Sequence, residues 1–456
     1  MGSGTRRVPD PVIGLEEPVR RTTGVGAARA LLRSALAGSG TVPVPDPWLC
    51  PLRCLAVLRN AILQSRDGRR FLAAQLMDSL GGGLSTVVLP WLVLDAGGSG
   101  AEAGAAFLVT TVPYVLLGLP AGEIGDTRPR RRVIEAGLFV QLASALLIPV
   151  TVLAGASPRS LPLVLIFAGG LGVTAGRVFV DAAAFGAIQR LVGEHHFVEG
   201  QAALSLVWSL GFLIGPALGG VLIGVAGAHN ALWVQAAGFA VALLLVVSLR
   251  TDLGPQAREH RDAGGLASGL LLVARHRWLR MLTAVGMAWN MAINMIYALL
   301  VVFARGELGA GGPQTGWMLG VGGAAGLVGG YTTPALHRRF GSSALMRGAL
   351  VGSATGAIGL ALSRSVAAGT VSFAVLEASG LCFITMLIGE RQTQAAPHQQ
   401  ARVGIAGRMA ALLAATVGAV VGSALVARMS PSSVFAISAA ATAAVALAGQ
   451  WLLRRV

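Results

Sequence analysis

Two carboxylates sit inside long apolar runs of this sequence, and its chemistry has to be sought there first. Glu377 falls at the middle of the run 366–389, and Asp78 lies about two turns into the run 71–94. An ionisable group in an apolar setting is costly to hold, and such groups usually bind a proton, an ion or a charged solute. Glu377 could do this from the wall of a cavity; its alternative is a neutral carboxyl hydrogen-bonded between helices. Asp78 could share the task or sit at the edge of the apolar layer. Asn290 and Asn294 are four apart, so on a helix they share a face. They could line a cavity or act as polar glue between helices. Arg177 and Asp181 have the same spacing and can pair along one helix.

Other chemistries find no residues to carry them. All seven histidines (195, 196, 229, 260, 276, 337 and 398) fall outside the apolar runs, so no metal cluster is expected within them. The chain has 35 basic residues, all arginine, and without lysine no phosphate-binding GxxxxGK[ST] loop can form. Cys50 and Cys54 in "CPLRC" have no partner cluster, and Cys382 stands alone. The net charge of +15 does not point to nucleic acid, because aromatics are few and no basic stripe interleaves with them. No metal, no organic cofactor and no nucleic-acid partner are expected, and a membrane-embedded enzyme is disfavoured.

The elements that must position these groups are set by composition. Apolar side chains make up 54% of the 456 residues, charged ones only 12%, and mean hydropathy is +0.70. A soluble chain would carry about 25% charged residues. A crossing helix needs about 20 apolar residues. Twelve runs reach that length: 71–94, 103–122, 133–154, 161–180, 203–225, 231–249, 281–304, 314–335, 344–363, 366–389, 405–427 and 433–453. The expected fold is therefore an all-α membrane protein of twelve transmembrane helices in two six-helix halves.

The division reads as follows. Residues 1–66, rich in Pro, Gly and Arg, form a disordered cytosolic tail; 67–249 are the N-terminal half. Residues 250–280 form a cytosolic linker, with Leu266, Leu270, Val273 and Trp278 on one face of a surface helix. Residues 281–456 are the C-terminal half. Arginines crowd alternate connections, whereas the opposite ones hold Arg159, Arg305, Arg364 and Arg428 singly. The positive-inside bias then places both termini in the cytosol of a cell-membrane protein.

One connection carries more than topology requires. "GEIGDTRPRRRVIE" sets Glu123, Asp126 and Glu135 among Arg128, Arg130, Arg131 and Arg132. It resembles the signature loop of the major facilitator superfamily, G-x-x-x-D-R-x-G-R-R, between the second and third spans. Gly122, Asp126, Arg130 and Arg131 match, while Thr127 and Pro129 depart from it. A second stretch, "GFLIGPALGG" with Gly211, Gly215, Pro216, Gly219 and Gly220, resembles the motif associated with exporters of that superfamily. Ala202 stands where the fuller pattern has glycine.

The resemblance covers about residues 66–456 and points to the drug- and siderophore-exporter branch that includes macrolide-efflux and enterobactin-exporter proteins. It implies a latch that closes a cytosolic gate. Gly122 would allow close packing, Asp126 would face the start of span eleven near Gly404–Arg408, and Arg131 would pair with Asp181. The implied activity is export of small amphipathic molecules by alternating access, driven by the proton gradient, from a monomer in the lipid bilayer. Nutrient or metabolite import on the same fold is the alternative.

Overall fold

The computed structural model describes residues 62, 65–155, 162–193, 196–254, 271–395 and 399–453. The described helices of the first half are α1 (Arg66–Asp95), α2 (Gly100–Ala105), α3 (Leu108–Thr127), α4 (Arg130–Leu153), α5 (Leu163–Val192), α6 (Phe197–Ala226) and α7 (Ala228–Val247). Those of the second half are α8 (Arg277–Gly306), α9 (Gly312–Phe340), α10 (Ser342–Leu362), α11 (Val366–Thr393), α12 (Gln400–Val426) and α13 (Pro431–Leu453). Helices α2 and α3 make a single crossing, so six crossings precede residues 255–270 and six follow them.

Eleven of these crossings are both long and apolar enough to span a membrane. The exception is α9, which has the length, 29 residues, but dilutes its apolarity with eight glycines and a "HRRF" end. Its glycines are packing surface, as shown below.

Local signals account for several boundaries. Ser65 caps α1 by accepting from the Gly68 N–H at 2.9 Å, and Ser99 with Glu102 forms a capping box on α2. Gly227 (φ 86°) and Gly341 (φ 76°) each turn one crossing into the next in a single residue, a backbone state that only glycine adopts without strain. The helices also run past the apolar runs at their charged ends. Thus α1 starts at Arg66 rather than at 71, and α11 continues to Thr393. The expected tail lies outside the described residues up to 61, as do Leu266 and Leu270 of the expected surface helix. Trp278 belongs to α8.

Helix association in hydrocarbon rests on close packing and on hydrogen bonds between helices rather than on water exclusion. Both are present. Phe71, Phe239, Phe303, Phe383 and Phe435 are fully buried. Gln235 of α7 donates to the Gly81 carbonyl of α1 at 3.0 Å, and Trp208 of α6 donates to Gln75 at 3.1 Å.

The two ends of the bundle differ. At the end carrying the α3–α4 connection, the backbone following α7 is tied to the N-terminal half. Asp67 accepts from the N–H groups of Arg250 and Thr251 and from the Thr251 hydroxyl, at 2.7–2.9 Å. Arg70 donates to the Ser248 carbonyl at 2.7 Å. At the far end the two halves meet each other. Arg305 of α8 pairs with Asp95 of α1 at 2.7 Å and lies over the Trp91 ring. Gly104 of α2 sits against Leu299 of α8 and Ser423 of α12.

Candidate functional site

Glycine spacing on α6 decides how the halves touch. Gly211, Gly215 and Gly219 recur every fourth residue, so they form one stripe. That stripe lies on α1: Gly211 against Ser79, Gly215 against Gly83, Gly219 against Leu84. Pro216 lies within the helix. Gly220, one residue round, faces the other half instead, where a Cβ would run into the Gly312 carbonyl and Gly316 of α9. One helix therefore joins the interior of its own half to the far-end seam between halves. A leucine at 220 overpacks that seam, at a cost of about 1–3 kcal/mol. Gly220→Leu is expected to expose a cysteine placed at Leu300 to a membrane-impermeant thiol reagent from the far side. A protected Leu300→Cys in that background contradicts the seam's role.

Beneath the seam is a cavity of about 380 Å³. Phe107, Phe212, Leu300, Leu319 and Phe373 give it an apolar wall, and Glu377 with Tyr297 supplies its polar side. Glu377 lies eleven residues into the 28-residue α11, near its middle. The Tyr297 hydroxyl of α8 stands beside its carboxylate. Gly322 of α9 lies against the Phe373 ring, where a Cβ would collide, and a Cβ on Gly326 would meet Glu377 Oε2 at an ordinary 3.5 Å. The glycines that cost α9 its apolarity bring it close to α6 and α11.

A second polar cluster lies inside the N-terminal half. Asp78 is twelve residues into α1, about 18 Å along it, and only 1% exposed. Arg177 of α5 is its neighbour, donating to the Asp78 carbonyl at 3.3 Å and to the Ser79 hydroxyl at 3.4 Å. Arg177 also pairs with Asp181 (3.8 Å), as the four-residue spacing predicts. Tyr114 of α3 donates to Asp181 at 2.6 Å, and the buried Gln141 of α4 faces Asp78. The guanidinium occupies the space above Gly82, where a side chain would collide with it. It stands 5.2 Å from the centre of the Phe212 ring, and Phe212 lines the cavity, so the cluster adjoins it.

Three expectations need correction. Arg131 does not pair with Asp181. Its Nε meets Glu135 at 2.8 Å, and its terminal nitrogens donate to the carbonyls of Leu249 (2.8 Å) and Val247 (2.6 Å). Arg131 lies in the first turn of α4, beside the end of α7, while Asp181 is already held by Arg177 and Tyr114. Gly122 is not a close-packing site, since a Cβ there would meet open space. Gly125 is the residue against α5, next to Ala182 and Ala183. The Asn290 amide donates to the Gly286 carbonyl and the Asn294 amide to that of Asn290, both four residues back along α8. Neither residue is in the cavity lining. Arg130, by contrast, is buried at the end of α5, filling the space above Gly186, with Asp126 acting on it electrostatically.

Tyr114, Tyr297 and Gln141 escaped the sequence reading. One signal for the first two was available: the chain has only three tyrosines, and two of them meet buried acids.

Comparison with known proteins places this architecture. The Major Facilitator Superfamily profile matches residues 71–404. The chain belongs to the major facilitator superfamily. Proteins of this superfamily are carriers, and the chain is a multi-pass membrane transporter rather than an enzyme. It is 30% identical over 298 residues to the multidrug efflux pump Tap of Mycobacterium tuberculosis, covering 60% of this chain and 67% of that protein. Among solved superfamily structures, a variant of the nucleoside transporter NupG superposes with TM-score 0.70 at 13% identity, over 86% of this chain and 99% of that one. A bacterial homologue of the iron transporter ferroportin, at 18% identity, gives 0.65 in its inward-facing state, over 86% and 98% of the two chains. Its outward-facing state gives 0.56.

Proposed function

We propose that this superfamily member exports small amphipathic molecules, drugs or natural products, in exchange for protons. The observation that carries the reading is the apolar cavity beneath a closed seam, with one carboxylate, Glu377, on its wall. An apolar wall with a single acid suits a lipophilic solute bearing a positive charge, or a proton in its place. The similarity to Tap supports the export direction. The protein works as a monomer in the bilayer, with the proton gradient as its energy source and no cofactor.

In this reading both termini are cytosolic, following the arginine bias. The seam then closes the outer end, and the cavity serves the cytosol. The greater likeness to the inward-facing ferroportin homologue agrees with that. Gly122 and Gly404 each face open space, which suits a latch that is disengaged in this state. In the opposite state Asp126 closes against the positive N-terminal end of α12. Asp78, beside Arg177 and Asp181, is the second group through which a proton exchanges.

Vesicle orientation tests the direction. Inverted membrane vesicles, acidified inside, are expected to accumulate a lipophilic cationic dye and to release it when the gradient is collapsed. Accumulation by right-side-out vesicles alone reverses the reading to import.

A further inference from the structure

A second cavity, of about 450 Å³, opens at the end that carries the α3–α4 connection, against α4 and α5. Its floor is built from small residues. Gly137 and Gly176 bring the two helices so close that a Cβ on Gly137 would stand 2.7 Å from the Gly176 carbonyl oxygen. Val133, Val140 and Phe179 form its apolar wall. Val140 and its neighbour Phe139 are 42% and 61% exposed, so this flank opens sideways onto hydrocarbon. At the mouth stand Arg128 and Arg132, and the lining contains no acid.

The four arginines of this connection thus divide into two pairs. Arg130 and Arg131 are spent on the protein itself, on the carbonyls of Gly254, Leu249 and Val247. Arg128 and Arg132 are exposed, and among the described residues neither guanidinium has a hydrogen-bond or ion-pair partner. The unpartnered pair is the one that flanks the groove. The first turn of α4, beginning at Arg130, adds its positive end to the same mouth.

We propose that this groove seats one anionic phospholipid. Its phosphate bridges the guanidiniums of Arg128 and Arg132, and an acyl chain lies along the Val133–Val140 wall. A free anion would use the mouth but not the wall; a zwitterionic lipid would use the wall but bring a cation to a site without an acid. Basic pockets between helices at a membrane interface are suited to anionic headgroups. The site holds on either face of the membrane and for either transport direction, so it stands apart from the proposed function.

Native mass spectrometry of the detergent-purified full-length protein tests it, with phosphatidylglycerol, phosphatidylcholine and inorganic phosphate as probes. Phosphatidylglycerol is expected to be retained in preference to phosphatidylcholine. The double variant Arg128→Gln/Arg132→Gln is expected to lose that retention by roughly tenfold. Ala136→Trp, which fills the groove and keeps both charges, is expected to lose it as well. Equal retention of the two lipids, or unchanged phosphatidylglycerol retention in both variants, overturns the proposal. So does displacement of phosphatidylglycerol by inorganic phosphate, which would make the mouth a simple anion site.

Discussion

Replacing Arg177 with methionine is expected to remove about 3–5 kcal/mol of stability, the usual consequence of stranding a buried charge. Arg177 is 6% exposed and is the only cation among the groups named in its cluster, which contains the Asp78 and Asp181 carboxylates. Tyr114 and Gln141 remain to receive them, and neither carries charge. Methionine fills much of the same volume above Gly82, so the loss is electrostatic more than steric. Thermal unfolding of the detergent-solubilised protein measures it. Adding Asp78→Asn to Arg177→Met removes one stranded carboxylate and is expected to restore part of the lost stability. If Arg177→Met melts with the wild type, the arginine does not hold this cluster together.

Glu377→Gln is the functional counterpart. The amide has nearly the shape of the carboxyl, so the helices α8, α9 and α11 keep their packing. What disappears is the ability to carry a proton or to balance a cation. Proton-driven dye efflux is expected to fall to the background of cells lacking the protein, with membrane expression unchanged. Normal efflux from this variant would remove Glu377 from the coupling step and leave Asp78 as the group to examine. Tyr297→Phe removes only the hydroxyl beside the carboxylate, and its effect on efflux is expected to be partial.

These two residues were readable from sequence for different reasons. Glu377 announced itself as a charge in the middle of an apolar run, where length alone places it near mid-depth. The Arg177–Asp181 pair follows from a four-residue spacing, and Arg131–Glu135 obeys the same rule. The failed Arg131–Asp181 pairing had no such local ruler. It joined two helices whose rotation is set by packing, and a nearer acid and two unsatisfied carbonyls took the arginine first. Asn290 and Asn294 failed similarly: a shared face was right, but an amide can turn back to the carbonyl one turn earlier. The helix count was nearly legible throughout. Only α9, whose glycines serve contacts that no run of hydropathy can show, falls below the apolarity of a crossing.

The scarcity of tyrosine has a practical consequence. Tyr114 reports on the acid cluster of one half and Tyr297 on the cavity acid of the other, with Tyr331 the only remaining member of its type. Fluorinated tyrosine would therefore place a natural pair of spectroscopic labels beside the buried carboxylates of each half without altering a codon. Resonances from those two rings could time events in the two halves separately, and so establish which one moves first when the gradient is applied.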